Sequence, residues 1–280
     1  MDFAEMSVVP LLAAVALIPL NWLVEAAKWR ILTSHLQPLT VGQSLRAVLS
    51  GLAVSLLTPN RVGDFAGRIA LLKPENRSEG AMSAFVGGYG QMLVIAILGV
   101  VAFGMKPALP DFLLWTVSRH ALVLAVLVVA IVALACIYFF GGKAALRFRF
   151  SHWPWLEKFV RAAGRHSFVQ LLSAFVLTTL RCAVFMLQFG LVLEAAGLHL
   201  TFGVAFCSIA LMYAFVSVIP TFALVEWGVR GSMALLFIMP VGGQPAQIVT
   251  ATAVVWLMNV ALPAAVGAFL TAFSAKSING

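Results

Sequence analysis

Ionisable side chains stand inside stretches that are otherwise apolar, and their spacing recurs. Asp64 precedes Arg68 by four positions, and Glu226 precedes Arg230 by four. Acid before base at i,i+4 puts each pair on one helix face in the favourable order, so each can neutralise itself. With Asp64 paired to Arg68 and Glu226 to Arg230, Arg61 and Arg181 are left without local acids, and Asn60 adds a polar neighbour to the first. A guanidinium offers a rigid fork of donors suited to a phosphate. Arg61, Arg68, Arg181 and Arg230, with Asn60, are therefore candidate contacts to an anionic group. Asp64, Glu226 and Glu25 are candidates for acids that hold the arginines, or that carry a coupled proton if burial raises a carboxyl pKa. A purely structural reading stays open, in which the pairs fix local backbone and touch no ligand. Glu25 and Lys28 read as an i,i+3 pair, with Lys28 and Arg30 marking a membrane interface and Trp22 and Trp29 as belt residues.

Other chemistries find little support. No nucleophile–base pair, metal cluster or carboxylate dyad is readable, so no metal and no cofactor is expected, and the chain reads away from an enzyme. The five histidines are scattered, and Cys136, Cys182 and Cys207 sit in apolar runs without metal or redox spacing, which reads as buried and inert. Gly87, Gly88 and Gly90 follow no strand, so they read as small-residue helix packing and not as a phosphate loop.

Membrane segments must position these groups. Hydrophobic residues make up 62% of the 280 residues and charged ones 10%, with a mean hydropathy of +1.03. A soluble domain is roughly half apolar and a quarter charged, so a bilayer is the main solvent. The net charge of +8 is then a question of sidedness, and no nucleic-acid partner is expected. Asp2 and Glu5 replace a basic leader and no small-residue cleavage pattern follows Leu20, so the first apolar run reads as a retained helix. Five stretches are long enough to span: 6–31, 81–103, 121–140, 168–193 and 248–273. Two more, 43–72 and 203–238, are interrupted, the first over Thr58–Asp64 and the second at Pro220. Each reads as a re-entrant pair of half-helices, which a membrane tolerates only inside protein or along a cavity.

The two broken segments align. Leu39-Thr40-Val41-Gly42 leads to Pro59, and Leu200-Thr201-Phe202-Gly203 leads to Pro220, at an offset of 161; beyond them Asp64, Gly67 and Arg68 answer to Glu226, Gly228 and Arg230. Pro59, Gly63, Gly67, Pro220 and Gly228 are expected at the breaks. The predicted fold is an all-α polytopic membrane protein, about five spanning helices plus two re-entrant elements arranged as inverted repeats. It forms one membrane domain over 1–280. The repeats cover about 6–103 and 165–273, joined by a helix at 121–140 and a basic interfacial loop at 141–166.

With five crossings, Arg30, Lys73, Arg77, Lys143, Arg147, Arg149, Lys158, Arg161, Arg165 and Lys276 share one side, leaving Lys106 and Arg119 on the other. The positive-inside rule makes the rich side cytoplasmic, with the N-terminus outside and the C-terminus inside. In the loop, Arg147, Arg149 and Arg161 alternate with Phe148, Phe150, Trp153 and Trp155, which suits an anionic leaflet or an ordinary interfacial anchor. Broken helices in inverted repeats point to a transporter site at their meeting.

The runs Asn21–Arg30, Thr58–Arg68 and Val225–Arg230 resemble the lysylphosphatidylglycerol synthase transmembrane-region family, also called flippase-like, over most of the chain. The Pro-x-Arg-x-Gly-acid element is the most specific part. The resemblance implies lipid movement between leaflets of a bacterial inner membrane. The lipid would be aminoacylated, as for the membrane domain of the multiple peptide resistance factor, or a polyprenyl phosphate. No soluble synthase domain follows Phe273, so lysyl-lipid synthesis is not carried over, and the chain starts at what would be the family's second helix. The architecture is also similar to that of undecaprenyl-phosphate translocases with paired re-entrant loops. The expected partner is a lipid with an anionic headgroup, and an oligomer is left open. Two alternatives remain: a membrane-embedded enzyme acting on a lipid phosphate or lipid-linked sugar, and a non-transporting membrane partner protein.

Overall fold

The structure is a computed structural model that describes residues 7–58, 62–105, 120–147, 154–220 and 223–276. Among these the elements are helical: α1 (Val8–Thr33), α2 (Val41–Ser55), α3 (Val62–Ala70), α4 (Arg77–Gly104), α5 (His120–Cys136), α6 (Pro154–Gly164), α7 (Phe168–Ala195), α8 (Phe202–Val218), α9 (Ala223–Ile238) and α10 (Pro245–Trp256). Two helices pass through a π turn and continue, α5 via Ile137–Gly141 to Gly142–Ala145, and α10 via Leu257–Ala261 to Leu262–Lys276. Part of the expected 141–166 loop is therefore helix.

Local chemistry sets the boundaries. Thr40 caps α2 and Ser167 caps α7, each in a reciprocal box with the glutamine three positions on. The Gln43 N–H donates to Thr40 Oγ1 at 3.2 Å and the Thr40 N–H to Gln43 Oε1 at 2.9 Å. After α7, Gly197 takes φ +82°, and the Leu198 N–H donates to the Leu193 carbonyl at 2.9 Å, a left-handed stop that favours glycine.

Among the described residues, five helices are long and apolar enough to cross a bilayer, and α5 shows why a bilayer is required. Only 6% of its most apolar stretch is buried, with Leu122, Val126, Val129 and Val132 facing outward. Hydrocarbon solvates such a surface and water does not. Cys136, at its end, is exposed with it, against the expectation of burial. The chain is a multi-pass membrane protein.

The two halves run in opposite senses. The Ser7 N–H donates to the Ala195 carbonyl at 2.8 Å, Gln188 Nε2 to the Ala14 carbonyl at 3.0 Å, and Gln170 Nε2 to Ser34 Oγ at 2.9 Å. The start of α1 thus meets the end of α7, and the end of α1 meets the start of α7. Each half then follows with a helical hairpin, α2–α3 or α8–α9, and a long closing helix, α4 or α10. The packing is reciprocal: α2 lies on α10 and α8 lies on α4, so each hairpin is gripped by the other half. Gly267 of α10 leaves room for the backbone at Leu49, and Gly99 of α4 for Ala214.

One core cluster is built around Phe189, Met212, Phe237 and Ile248, and another around Trp29, Val48 and Leu49. The end of the bundle where α1 finishes and α4 and α7 begin also carries the exposed Arg30, Lys73, Arg77, Lys143, Arg147, Arg161 and Arg165.

Candidate functional site: a charged cavity between the two halves

A cavity of about 560 Å³ lies where the halves face each other, walled by α1, α4 and α7 and by both hairpins. Every wall but α4, which brings Gln91, contributes charged side chains. The α1 stripe Asn21, Glu25, Lys28, Leu32 follows steps of four, three and four, one face of a helix, and is buried along its length. Glu25, 2% exposed, is the hub. Its carboxylate lies 2.8 Å from Lys28 Nζ, 2.7 Å from Arg68 Nη1 and 2.9 Å from Arg181 Nη1.

The arginines are held on two sides. Asp64 grips Arg68 bidentately, at 2.9 Å to Nε and 2.8 Å to Nη2, while Trp29 lies 5.8 Å from the guanidinium. Glu226 accepts from Arg230 Nε at 2.8 Å, and the Tyr213 ring lies 5.7 Å away. Arg181 Nε donates to Asn21 Oδ1 at 2.8 Å, its Nη1 to Gln91 Oε1 at 2.9 Å, and Phe185 lies 5.0 Å away. Carboxylate on one side and ring on another fix each planar fork before any ligand arrives.

Asn21 and Arg181 stand 160 positions apart, as do the starts of α1 and α7 at Val8 and Phe168. A residue therefore bonds to its own repeat counterpart, which places the pseudo-twofold axis at this contact. Asn21 Nδ2 also donates to Asn259 Oδ1 of the α10 π turn at 2.9 Å. Among the described lining side chains, Lys28, Arg68, Arg181 and Arg230 face Glu25, Asp64 and Glu226, a surplus of one positive charge. None of these cations is unpartnered. An arriving anion shares them with the acids.

The structure thus gathers Glu25, Asp64, Arg68, Arg181, Glu226 and Arg230 on one cavity, with Pro220 at its rim. Three expectations change. Arg181 does have an acid, Glu25, which comes from another helix. Lys28, 2% exposed, and Trp29, fully buried, belong to the interior and not to the interface, and Trp22 is half-buried between core clusters. Gly63 and Gly67 lie within α3 and Gly228 within α9, so among the described residues only Pro220 sits at a break. Pro59, Asn60 and Arg61 lie outside the described residues.

Gln91, Asn259 and Tyr213 were not readable as site residues. The available signal was a lone polar group in an apolar span, which costs free energy unless partnered. Gly87 and Gly90 admit Leu32 and Tyr138, as helix packing requires.

No curated protein and no solved structure shows a match to the chain. The family model described as "Lysylphosphatidylglycerol synthase TM region" matches residues 2–267 of the 280. Both hairpins and the charge cluster lie within those bounds, and the chain belongs to that family.

Proposed function

We propose that this protein moves a phosphate-bearing lipid, of aminoacyl-phospholipid or polyprenyl-phosphate type, between the leaflets of a bacterial inner membrane. The headgroup occupies the central cavity. The observation that carries the reading is the cavity's place and charge together: it lies on the pseudo-twofold axis, and its described lining carries one more positive charge than negative. Both hairpins, which come from opposite ends of the bundle, reach it. A site shared by two inverted halves is open to either side as one half rocks against the other. Arg68, Arg181 and Arg230 are the headgroup contacts, with Asp64, Glu226 and Glu25 as the acids that hold them. An anion relieves the surplus charge by sharing donors already aimed into the space. The basic end faces the cytoplasm by the positive-inside rule, with the N-terminus outside.

The test is a leaflet-resolved assay of fluorescent anionic lipid in proteoliposomes. Arg230→Ala and Arg181→Ala should each slow transfer about tenfold or more, since a hydrogen bond to a charged group contributes about 1.5–3 kcal/mol. Arg230→Lys keeps the charge, loses the fork and should fall between. Wild-type transfer rates in all three would refute the proposal.

A further inference from the structure

A second cavity, of about 290 Å³, lies beside the first, between α4, the π turn that ends α5, α6 and the start of α7. Met82, Phe85, Val86 and Tyr89 form one wall, and Tyr138 and Phe139 are on the other. Phe85 lines both cavities and divides them. Ligand pockets run from about 300 to 1,000 Å³, so this one accommodates a single hydrocarbon chain and not a headgroup with it.

We propose that the pocket holds one acyl chain of an anionic glycerophospholipid, drawn from the leaflet at the basic end, with its phosphate against Lys143. The lining asks for an apolar occupant because, Lys143 apart, its polar side chains are already engaged. Tyr138 Oη donates to the Leu171 carbonyl at 3.3 Å, Tyr89 Oη donates to the Leu134 carbonyl at 2.8 Å, and His166 Nε2 lies 3.2 Å from Ser83 Oγ. The wall is continuous with lipid. The π turn shifts the helical register, so Tyr138 points inward at 6% exposure while Ile137 and Phe140 on the same turn face out.

The charge at the mouth then selects the lipid. Glu79 pairs with Arg165 and Glu157 with Arg161, but Lys143 and Arg147 make no ion pair among the described residues. Lys143 in the lining of an apolar slot, with the exposed Arg147 four residues further on, matches a phosphate above its chain at the basic interface. A lipid seated there braces α4 from the side opposite the central cavity, so α4 lies between a resident lipid and the headgroup site.

Photo-crosslinking tests this independently of transport. The protein is reconstituted in phosphatidylcholine vesicles carrying a minor fraction of phosphatidylglycerol with a diazirine on its acyl chain. After illumination, labelled peptides are mapped by mass spectrometry. Label should concentrate at Met82–Tyr89 and at Ile137–Gly142. Val86→Trp, which fills the slot, should abolish that label and leave label on the bare face of α5 unchanged, and the smaller Val86→Phe should reduce it partway. Lys143→Glu should lower labelling by phosphatidylglycerol several-fold relative to the same probe in phosphatidylcholine form. Label spread evenly over α5 and untouched by either Val86 variant would overturn the site. An equal effect of Lys143→Glu on both lipids would overturn its anionic selectivity.

Discussion

Replacing Glu25 with glutamine removes one negative charge from the middle of three cations while leaving the shape of the side chain. Lys28, Arg68 and Arg181 all lie within 2.9 Å of the carboxylate, and it is 2% exposed. Asp64 remains to neutralise Arg68, but Lys28 and Arg181 then keep only neutral partners, Asn21 and Gln91 being those of Arg181. Removing one partner of a buried ion pair costs about 3–5 kcal/mol, because the charge left behind is desolvated and unpaired. With two charges stranded, a loss of about 4 kcal/mol is expected, roughly a thousandfold in the folding equilibrium. Equilibrium unfolding by dodecyl sulfate in mixed micelles measures it. Glu157→Gln is the control, since its partner Arg161 is 66% exposed and such pairs contribute about 0.2–1 kcal/mol. A second arm tests cause: Glu25→Gln combined with Lys28→Met strands one cation fewer, so the double variant should lose less than the sum of the singles. A loss below about 1 kcal/mol for Glu25→Gln, or strict additivity in the double variant, would refute the role of Glu25 as the hub.

Two further outcomes are expected. At the basic end, outside the spans, the His35 and His166 rings meet edge-on with centroids 4.7 Å apart, faced by Ser83, Glu79 and Arg165. Burial pushes both pKa values down, and for His35 the nearby His166 adds to it. The unfolded chain then binds more protons in the window below the ordinary value of about 6.5, so stability falls as pH drops through that window and levels off below the folded-state values. Unfolding followed from pH 7.5 down to about 5 should show this slope, and His35→Phe should flatten it; an unchanged slope would remove the histidines as its source. The second outcome contrasts repeat-related glycines. A Cβ on Gly67 would stand 2.6 Å from Gly51 Cα, whereas one on Gly228 meets nothing within 4 Å among the described residues. Gly67→Ala should therefore cost about 1–3 kcal/mol by overpacking, while Gly228→Ala should be neutral or stabilise by up to about 1 kcal/mol; equal unfolding energies for the two would contradict the packing.

Much of the architecture was legible because bilayer physics writes it into composition. The five spans, the two interruptions and the offset of 161 to 162 between halves follow from apolar length and from residues such as Pro59 and Pro220, whose types punctuate helices. What was not legible is what depends on rotation of one helix about its axis against another. Hydropathy cannot orient α1, because a span is apolar on nearly every side, so Trp29 read as a belt residue and Lys28 as an anchor. The polar stripe Asn21, Glu25, Lys28 did hold the answer: three costly groups on one face mark the face turned away from lipid. The partner of Arg181 was out of reach for another reason. Glu25 lies far from it in sequence, and only the antiparallel crossing of α1 on α7 brings the two within 2.9 Å.

That crossing also explains how two like halves come to differ. Equivalent positions that meet on the axis, Asn21 and Arg181, cannot both be arginine, because two guanidinium groups would then face each other at buried depth. Once one copy is neutral, the acid that answers the arginine is needed on one side alone. Glu25 supplies it, and the position 160 residues on is Phe185, packed 5.0 Å from the same guanidinium. The hairpins diverge in parallel. The first is closed by the Gly51–Gly67 contact and pinned through Arg68 to both Asp64 and Glu25, while the second leaves a Cβ at Gly228 or Gly231 without a neighbour among the described residues. A pseudo-symmetric cavity with one firm hairpin and one loose one is biased: less packing must be undone to move α9 than to move α3. The Gly67 and Gly228 substitutions therefore report how closely each hairpin is packed, the first resisting an added methyl group that the second accepts.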